Sequence, residues 1–304
     1  MKPTDVMRWV IYYSTDMKVG LFTIVKDEHQ YLEEWLQYHL NKTLGIDCIY
    51  VFDDPFSKSH SDICSKFPER VVSKSILSLY PKSWQEKILN KTDYKETTIP
   101  RQIRYMNSVL EHLKNKKKFD WVFYLDVDEF LTLSDNSVSI PDIIKDYNDY
   151  DVLVVSWKNF GASGHLTKPE GSIIENYTIE CSPNLNKMSY LASSKLCFNL
   201  HRWDPVRVHT NHHIPFKAKW CKPNYSQNLK DMVYDRLYIR HYITKSLDEF
   251  LHKLFLRGQF FGSKDFNSFF VFNPDINTKD PEVRKVINKY RDMFYSGEIK
   301  FSIF

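Results

Sequence analysis

Glycine is scarce in this chain: eight residues in 304, beside 13 prolines. That scarcity excludes long flexible linkers and low-complexity tracts. Cysteine is sparse and unpatterned. Cys48, Cys64, Cys181, Cys197 and Cys221 are odd in number, widely spaced and without a CxxC pair. A disulfide framework or zinc site is therefore not expected, and free thiols in a reducing compartment are. No apolar run approaches the ~18–20 residues that span a bilayer. Trp9–Tyr13 is too short for a signal-peptide core and reads as a short strand or a membrane-skimming leader, so peripheral membrane association is the most the sequence allows. Strong basicity is absent too. The net charge is +4, and the densest basic run, Lys114 with Lys116–Lys118, sits where a helix ends and cations suit its dipole. Nucleic acid is not an expected partner. No internal repeat appears, and the sequons at Asn41, Asn90, Asn176 and Asn224 matter only for a secreted chain.

What is present is an ordinary globular composition, 42% hydrophobic and 26% charged, large enough to build a core without staples. The expected location is cytoplasmic. Plentiful Lys, Asn, Ile and Tyr point to an AT-rich genome, such as a bacterial or large-virus one. Residues 1–18 read as a leader, 19–260 as one domain, and 261–304 as a helical extension packed on it.

The hydrophobic pattern orders the first half. Val19–Val25 is a buried strand. Leu32, Trp35, Leu36, His39 and Leu40 form the stripe of an amphipathic helix, with Gly45 as its C-cap. Cys48–Phe52 is a second strand ending in Asp53-Asp54. This is a βαβ unit with parallel strands. Arg70–Lys74 is a weak third strand, and residues 75–98 are an excursion without clear period. Pro100 opens a helix whose buried stripe runs from Ile103 to Leu113. It leads into Trp121–Phe130, WVFYLDVDEF, an apolar strand running into acids. On an extended segment Asp126 and Asp128 point the same way, with Glu129 turned aside. Paired carboxylates repel, and a hard divalent cation is the common relief. Acids ending separate parallel strands meet at the carboxyl edge of the sheet, where ligands bind in open α/β folds. The second half is less regular: a strand at Val152–Trp157, a loop NFGASGHLTKPEG, short strands over 172–243, and helices at Ser246–Gly258 and Pro281–Tyr295.

Several blocks, in order, resemble nucleotide-sugar glycosyltransferases of the GT-A fold, nearest the family-2-like group that includes family 92. They are VKDEHQYLEEWLQYHLNKTLGI, YVFDDPFS, Arg101-Gln102 before FYLDVDEFL, VSWKNFGASGH, VHTNHH and IRHYITKSLDEFLHK. Asp54 and Arg240 depart from the family pattern, each standing where Asn is usual. The resemblance implies a Rossmann-like mixed, mainly parallel sheet flanked by helices in a single domain. It implies transfer of a sugar, galactose or glucose favoured, from a UDP-sugar to a glycan or glycoprotein acceptor, with inversion. It places Val25, Lys26, Glu28 and Asp53 around the base and ribose. Asp128 is the leading ligand for Mn²⁺ or Mg²⁺, with Asp126 sharing the ion or gripping the ribose. His241 is the chosen third ligand, with His209 and His212 as rivals. Arg101 and Lys245 are candidates for phosphate, and Gln102 for packing under the site. An inverting displacement needs one general base; Glu170, Asp204 and His165 are candidates, and the sequence does not choose among them. Trp157, Phe160 and Trp203 either stack on sugar rings or pack the core. The rival readings are a non-catalytic glycan-binding or nucleotide-sugar-binding module and a metal-dependent nucleotidyl or phosphoryl transferase. The second lacks a glycine-rich phosphate loop in VKDEHQ.

Overall fold

The strand Trp121–Tyr124 explains the architecture in miniature. All four residues are buried, and they alternate between layers: Trp121 and Phe123 pack on one face of the sheet, Val122 and Tyr124 on the other. Each such side chain contributes roughly 1.5–3 kcal/mol of transfer free energy, so the strand is held only if helices cover both faces. The computed structural model describes residues 17–93, 100–181, 194–204, 209–211, 214–216, 218–228, 230–255 and 267–296. Residues 1–16, which include Trp9–Tyr13, lie outside them, as do His212 and residues 256–266 and 297–304.

The strands are β1 Val19–Val25, β2 Cys48–Asp53, β3 Val71–Ser75, β4 Trp121–Tyr124, β5 Glu129–Leu133, β6 Val152–Asn159, β7 Ser194–Asn199, β8 His209–Asn211, β9 Ile214–Phe216, β10 Trp220–Cys221 and β11 Leu237–His241. Nine of them form one mixed sheet in the order β3-β2-β1-β4-β7-β6-β11-β5, with β10 also on β6; β8 and β9 pair separately. The strands β3, β2, β1 and β4 are mutually parallel. The antiparallel strand β7 returns beside β4 and restores β6 to the direction of β4. The expected single mixed α/β sheet is what the chain builds, running through both halves of the described residues.

The helices are α1 Leu32–His39, α2 Ser61–Cys64, α3 Lys82–Leu89, α4 Arg101–Lys116, α5 Ile140–Ile144, α6 Ile173–Asn176, α7 Leu247–Phe255, α8 Asn267–Phe272 and α9 Pro281–Tyr295. Helix α1 buries Leu32, Trp35, Leu36 and His39 in the layer of Trp121. Helix α4 buries Tyr105, Met106, Val109, Leu110 and Leu113 in the layer of Val122. A smaller cluster joins α7, α8 and α9 to Ala162. Asn273 accepts the Ala162 N–H with its side-chain oxygen, and any side chain at Gly161 would collide with Asn273. No helix of the described residues is long and apolar enough to cross a membrane.

Three local expectations need correction. Residues 75–98 contain α3, whose short stripe buries only Ile88 and so leaves a weak periodic signal. Gly45 does not cap α1, which closes at Leu40. It takes φ +75° in the turn beyond, where a Cβ would lie 2.7 Å from Pro141. The apolar run Trp121–Phe130 is not one strand: it breaks after Tyr124, turns over residues 125–128, and resumes as β5. All five cysteines are free and buried.

Candidate active site

The carboxyl ends of β1, β2 and β4 lie side by side. Val25 is in register with Asp53, and Phe22 with Tyr124. Acids from β2 and from the turn after β4 therefore share one edge. The loop after β6 and the start of α7 join them, since β6 runs parallel to β4.

On the β2 side the acid is stitched locally. Asp53 accepts hydrogen bonds from the Ser59 hydroxyl at 3.1 Å and from the His60 ring Nδ1–H at 2.6 Å. The other ring nitrogen of His60 accepts the Glu28 N–H at 3.0 Å. Because a backbone amide only donates, His60 is the neutral Nδ1–H tautomer here. It ties the turn after β1, with Lys26 and Glu28, to the end of β2, and it stacks on His29 at 3.9 Å. Asp27 takes φ +56° and donates its N–H to Ser57 Oγ. Burial pushes the Asp54 carboxyl up, against the Phe56 N–H and the charges of Lys26 and Arg101. The Arg101 guanidinium is committed to the buried Asp93 through two bonds of 2.7 and 3.2 Å. It lies over Phe56. Gln102 donates to the Tyr124 hydroxyl at 3.2 Å.

On the β4 side the acids are set by distant cations. Residues 125–128 form a turn, so the two-residue alternation of a strand does not apply, and Asp126 and Asp128 engage different lysines. Asp126 accepts from Lys195 of β7 at 2.7 Å. Asp128 accepts from Lys253 of α7 at 3.0 Å. Glu129, expected to turn away, is fully buried and folds back under the turn. Its Oε2 accepts the Asp126 N–H at 2.9 Å and lies 3.6 Å from Lys195 Nζ, while Oε1 has no hydrogen-bond partner among the described residues. Burial pushes the Glu129 carboxyl well up; Lys195 pulls against it, and the charges of Asp126 and Asp128 add to the rise. Lys195 is itself fully buried and lies over the Tyr124 ring at 4.7 Å. Burial would discharge it, but Asp126 and Glu129 outweigh that and hold it protonated. Burial likewise works against the Asp128 carboxylate, but Lys253, Lys245 and His241 overcome it and hold the acid well below the usual range.

The sheet register brings His241 beside Asp128: His241 pairs with Glu129 across β11 and β5, and the Tyr242 N–H donates to the Asp128 carbonyl at 2.9 Å. The His241 Nδ1–H donates to Asn159 Oδ1 at 2.9 Å, and the ring lies 4.1 Å from Trp157. Burial pushes its pKa down to about 3, against the attraction of Asp128. A neutral imidazole with Nδ1–H engaged keeps the Nε2 lone pair as its acceptor, the form a ligating histidine takes. Among the described residues no three His, Cys, Asp or Glu side chains come together as a ready metal cage. Asp128 and His241 are adjacent, and Asp126 is held aside by Lys195. The rival His209 lies in β8, and His212 falls outside the described residues.

The general-base candidates separate. Glu170 and His165 lie on the loop after β6, at the same rim. Glu170 is exposed, and the His165 ring is tied to the Asn176 carbonyl at 3.2 Å. Asp204 is displaced to the opposite edge. It follows β7, which runs antiparallel to β4 and pairs Asn199 with Trp121 at the start of that strand. Its neighbour Trp203 packs in the core. Trp157 is likewise core, while Phe160 is half-buried against Tyr242. The rim is completed by Tyr31, with Lys168 and Lys245 each 4.5 Å from its ring. Glu249 accepts from the hydroxyls of Tyr31 and Tyr177.

Lys195, Lys253, His60 and Asn159 were missed as site residues in the sequence. Only Lys195 carried a visible signal: a lone charge inside the otherwise buried strand SKLCFN.

Residues 22–290 match the family model of glycosyltransferase family 92. Comparison with curated proteins returns no match. Among solved structures, S. aureus TarS 1–349 is similar at 10% identity and TM-score 0.36, over 78% of this chain and 64% of its own. Glucosyl-3-phosphoglycerate synthase from Mycobacterium tuberculosis, solved with Mn²⁺, UDP and phosphoglyceric acid, aligns at 12% identity and TM-score 0.31 over 61% of this chain and 57% of its own. The S. cerevisiae mannosyltransferase Ktr4p with GDP aligns at 12% and 0.29, over 46% and 40%. The chain thus spans less than two thirds of each of these structures, and likeness this remote bears on neither substrate nor mechanism.

Proposed function

The chain belongs to glycosyltransferase family 92, and on that premise we propose that it moves a hexosyl group, galactose or glucose favoured, from a UDP-sugar to a glycan or glycoprotein acceptor with inversion. The observation that carries the reading is the pairing of Asp128 with a neutral, Asn159-oriented His241 at the edge shared with Asp53. A carboxylate and an imidazole nitrogen are a donor set that suits Mn²⁺ better than Mg²⁺. Two protein ligands suffice when diphosphate oxygens and water complete the shell, so the lack of a preformed cage fits this reading. Bound there, the ion would neutralise the diphosphate as it departs.

The protein's own groups carry the rest. Asp53 and the Lys26–Glu28 turn, locked together through His60, offer a carboxylate edge and backbone groups to base and ribose. Lys195 holds Asp126 at a fixed place beside the ribose position. Lys253 and Lys245 supply positive charge on the phosphate side of Asp128, where developing negative charge needs it. Glu170 and His165 stand on the acceptor-side loop as the remaining general-base candidates. Incubation with UDP-glucose and UDP-galactose, with Mn²⁺ or with chelator, tests the reading. Release of UDP from one donor that needs the metal and is lost in Asp128→Asn is expected. Release that ignores both chelator and substitution would overturn the metal assignment.

A further inference from the structure

Arg240, one residue before His241, faces the other side of the sheet, away from the donor edge. In the β11–β6 pairing it lies directly beside Lys158, and in the β11–β5 pairing opposite Phe130. Two cations side by side on one face repel. Lys158 has a partner in Glu180 at 3.3 Å; the Arg240 guanidinium engages the side chains of Tyr238 and Tyr242, while its buried Nε has no hydrogen-bond partner among the described residues. Both residues line a cavity of about 670 Å³, between the end of α1 and strands β5 and β11, whose walls contain no carboxylate. Its aromatic walls are Tyr38, Tyr234 and Tyr238. They are held rigidly: the Tyr38 hydroxyl donates to the Leu131 carbonyl at 2.7 Å, and the Tyr234 hydroxyl to the Trp157 carbonyl at 3.1 Å. Lys158 Nζ lies 5.0 and 5.3 Å from the rings of Tyr234 and Tyr238.

We infer that this cavity binds an acidic sugar, a carboxylate-bearing oligosaccharide of two or three rings. The volume lies within the range of small-ligand sites, about 300–1,000 Å³. Fixed tyrosine faces suit the C–H faces of pyranose rings, and Asn41 and Thr132 in the wall suit their hydroxyls. Lys158 is balanced by Glu180; the Arg240 guanidinium, with no ion-pair partner among the described residues and no carboxylate in the wall, selects for a carboxylate. The site lies across β11 from His241 and is distinct from the donor edge. It serves as an anchor for a charged glycan, and it stands whether or not the donor is a UDP-sugar.

Titration calorimetry on the full chain tests this directly, with digalacturonate, lactose and inorganic phosphate as probes. Digalacturonate should bind with an affinity that falls as salt rises, and at least about tenfold more tightly than either lactose or phosphate. Arg240→Gln should weaken it about tenfold, and Lys158→Gln, nearer the surface, severalfold. Thermal unfolding checks that each variant is folded; should Arg240→Gln fail that check, Lys158→Gln and Tyr238→Ala carry the test. Equal binding of lactose, equal binding of phosphate, no heat with digalacturonate, or unchanged affinity in the folded variants would overturn the inference.

Discussion

The two halves of the site edge hold their acids by different means. On the β2 side, Asp53 is fixed by Ser59 and His60, six and seven residues on, and by a turn only 25 residues back. On the β4 side, Asp126 and Asp128 are fixed by Lys195 and Lys253, 69 and 125 residues away. The first is a turn that closes on itself. The second exists only when β7 and α7 have docked. Charge balance on the β4 side thus depends on completed tertiary structure, whereas the β2 side is nearly self-contained.

Breaking the non-local half should have the largest effect. Lys195→Met removes the cation from a buried cluster of Asp126 and Glu129, and should cost about 3–5 kcal/mol by chemical denaturation. Adding Glu129→Gln should recover part of that loss, because the neutral amide can still accept the Asp126 N–H. Recovery of nothing would mean that the cluster is not electrostatically coupled. Asp128→Ala should reduce metal-dependent turnover by at least about a hundredfold, near 3 kcal/mol, while far-UV circular dichroism stays native.

The local half should respond less. His60→Ala removes the ring hydrogen bonds to the Asp53 carboxylate and the Glu28 amide, and a loss of about 2 kcal/mol is expected in denaturant titration. Acid sharpens the contrast. Hydrogen bonds from Arg101 outweigh burial and, with Arg104, pull the Asp93 carboxyl down to about 2. Its unfolded value is near 3.9, so its contribution of about 2 kcal/mol is complete above pH ~4 and lost as pH falls toward 2. The neutral His241 behaves with the same sign from a higher start. It binds a proton more readily when unfolded, so stability tied to it declines as pH drops below ~6.5. Unfolding midpoints measured from pH 7 to 2 should therefore show an early decline, reduced in His241→Gln with the buried His39 supplying the remainder, and a later one, reduced in Asp93→Asn with Asp128 supplying part of the remainder. The smallest effect belongs far from the edge. Ser139 and Asp142 form a capping box at α5, and Ser139→Ala should cost only about 1 kcal/mol.

The same contrast explains what could be read without coordinates. Strands β1, β2 and β4 and helices α1, α4 and α9 follow from periodicity, because each buries a continuous stripe or run. The placement of Asp53 and the Asp126–Asp128 turn at one edge follows from parallel strand ends. The break after Tyr124 was hidden because Phe130 and Leu131 continue the apolar run on a new strand. Asp204 was misplaced because nothing local reveals that β7 runs antiparallel and carries it to the far edge. Lys253 sits on an amphipathic helix where a lysine is unremarked, and only the fold brings it to Asp128. His241, by contrast, reaches Asp128 through strand register, which orders a short pairing once its partner is known.

The central claim, that Asp128 and His241 hold a divalent ion against a nucleoside diphosphate, is tested most directly by calorimetric titration of UDP with and without Mn²⁺. Binding should be at least about tenfold tighter with Mn²⁺, and that enhancement should be lost in both Asp128→Asn and His241→Gln. UDP affinity that is indifferent to Mn²⁺ in the unsubstituted protein, or an enhancement that survives both substitutions, would contradict it.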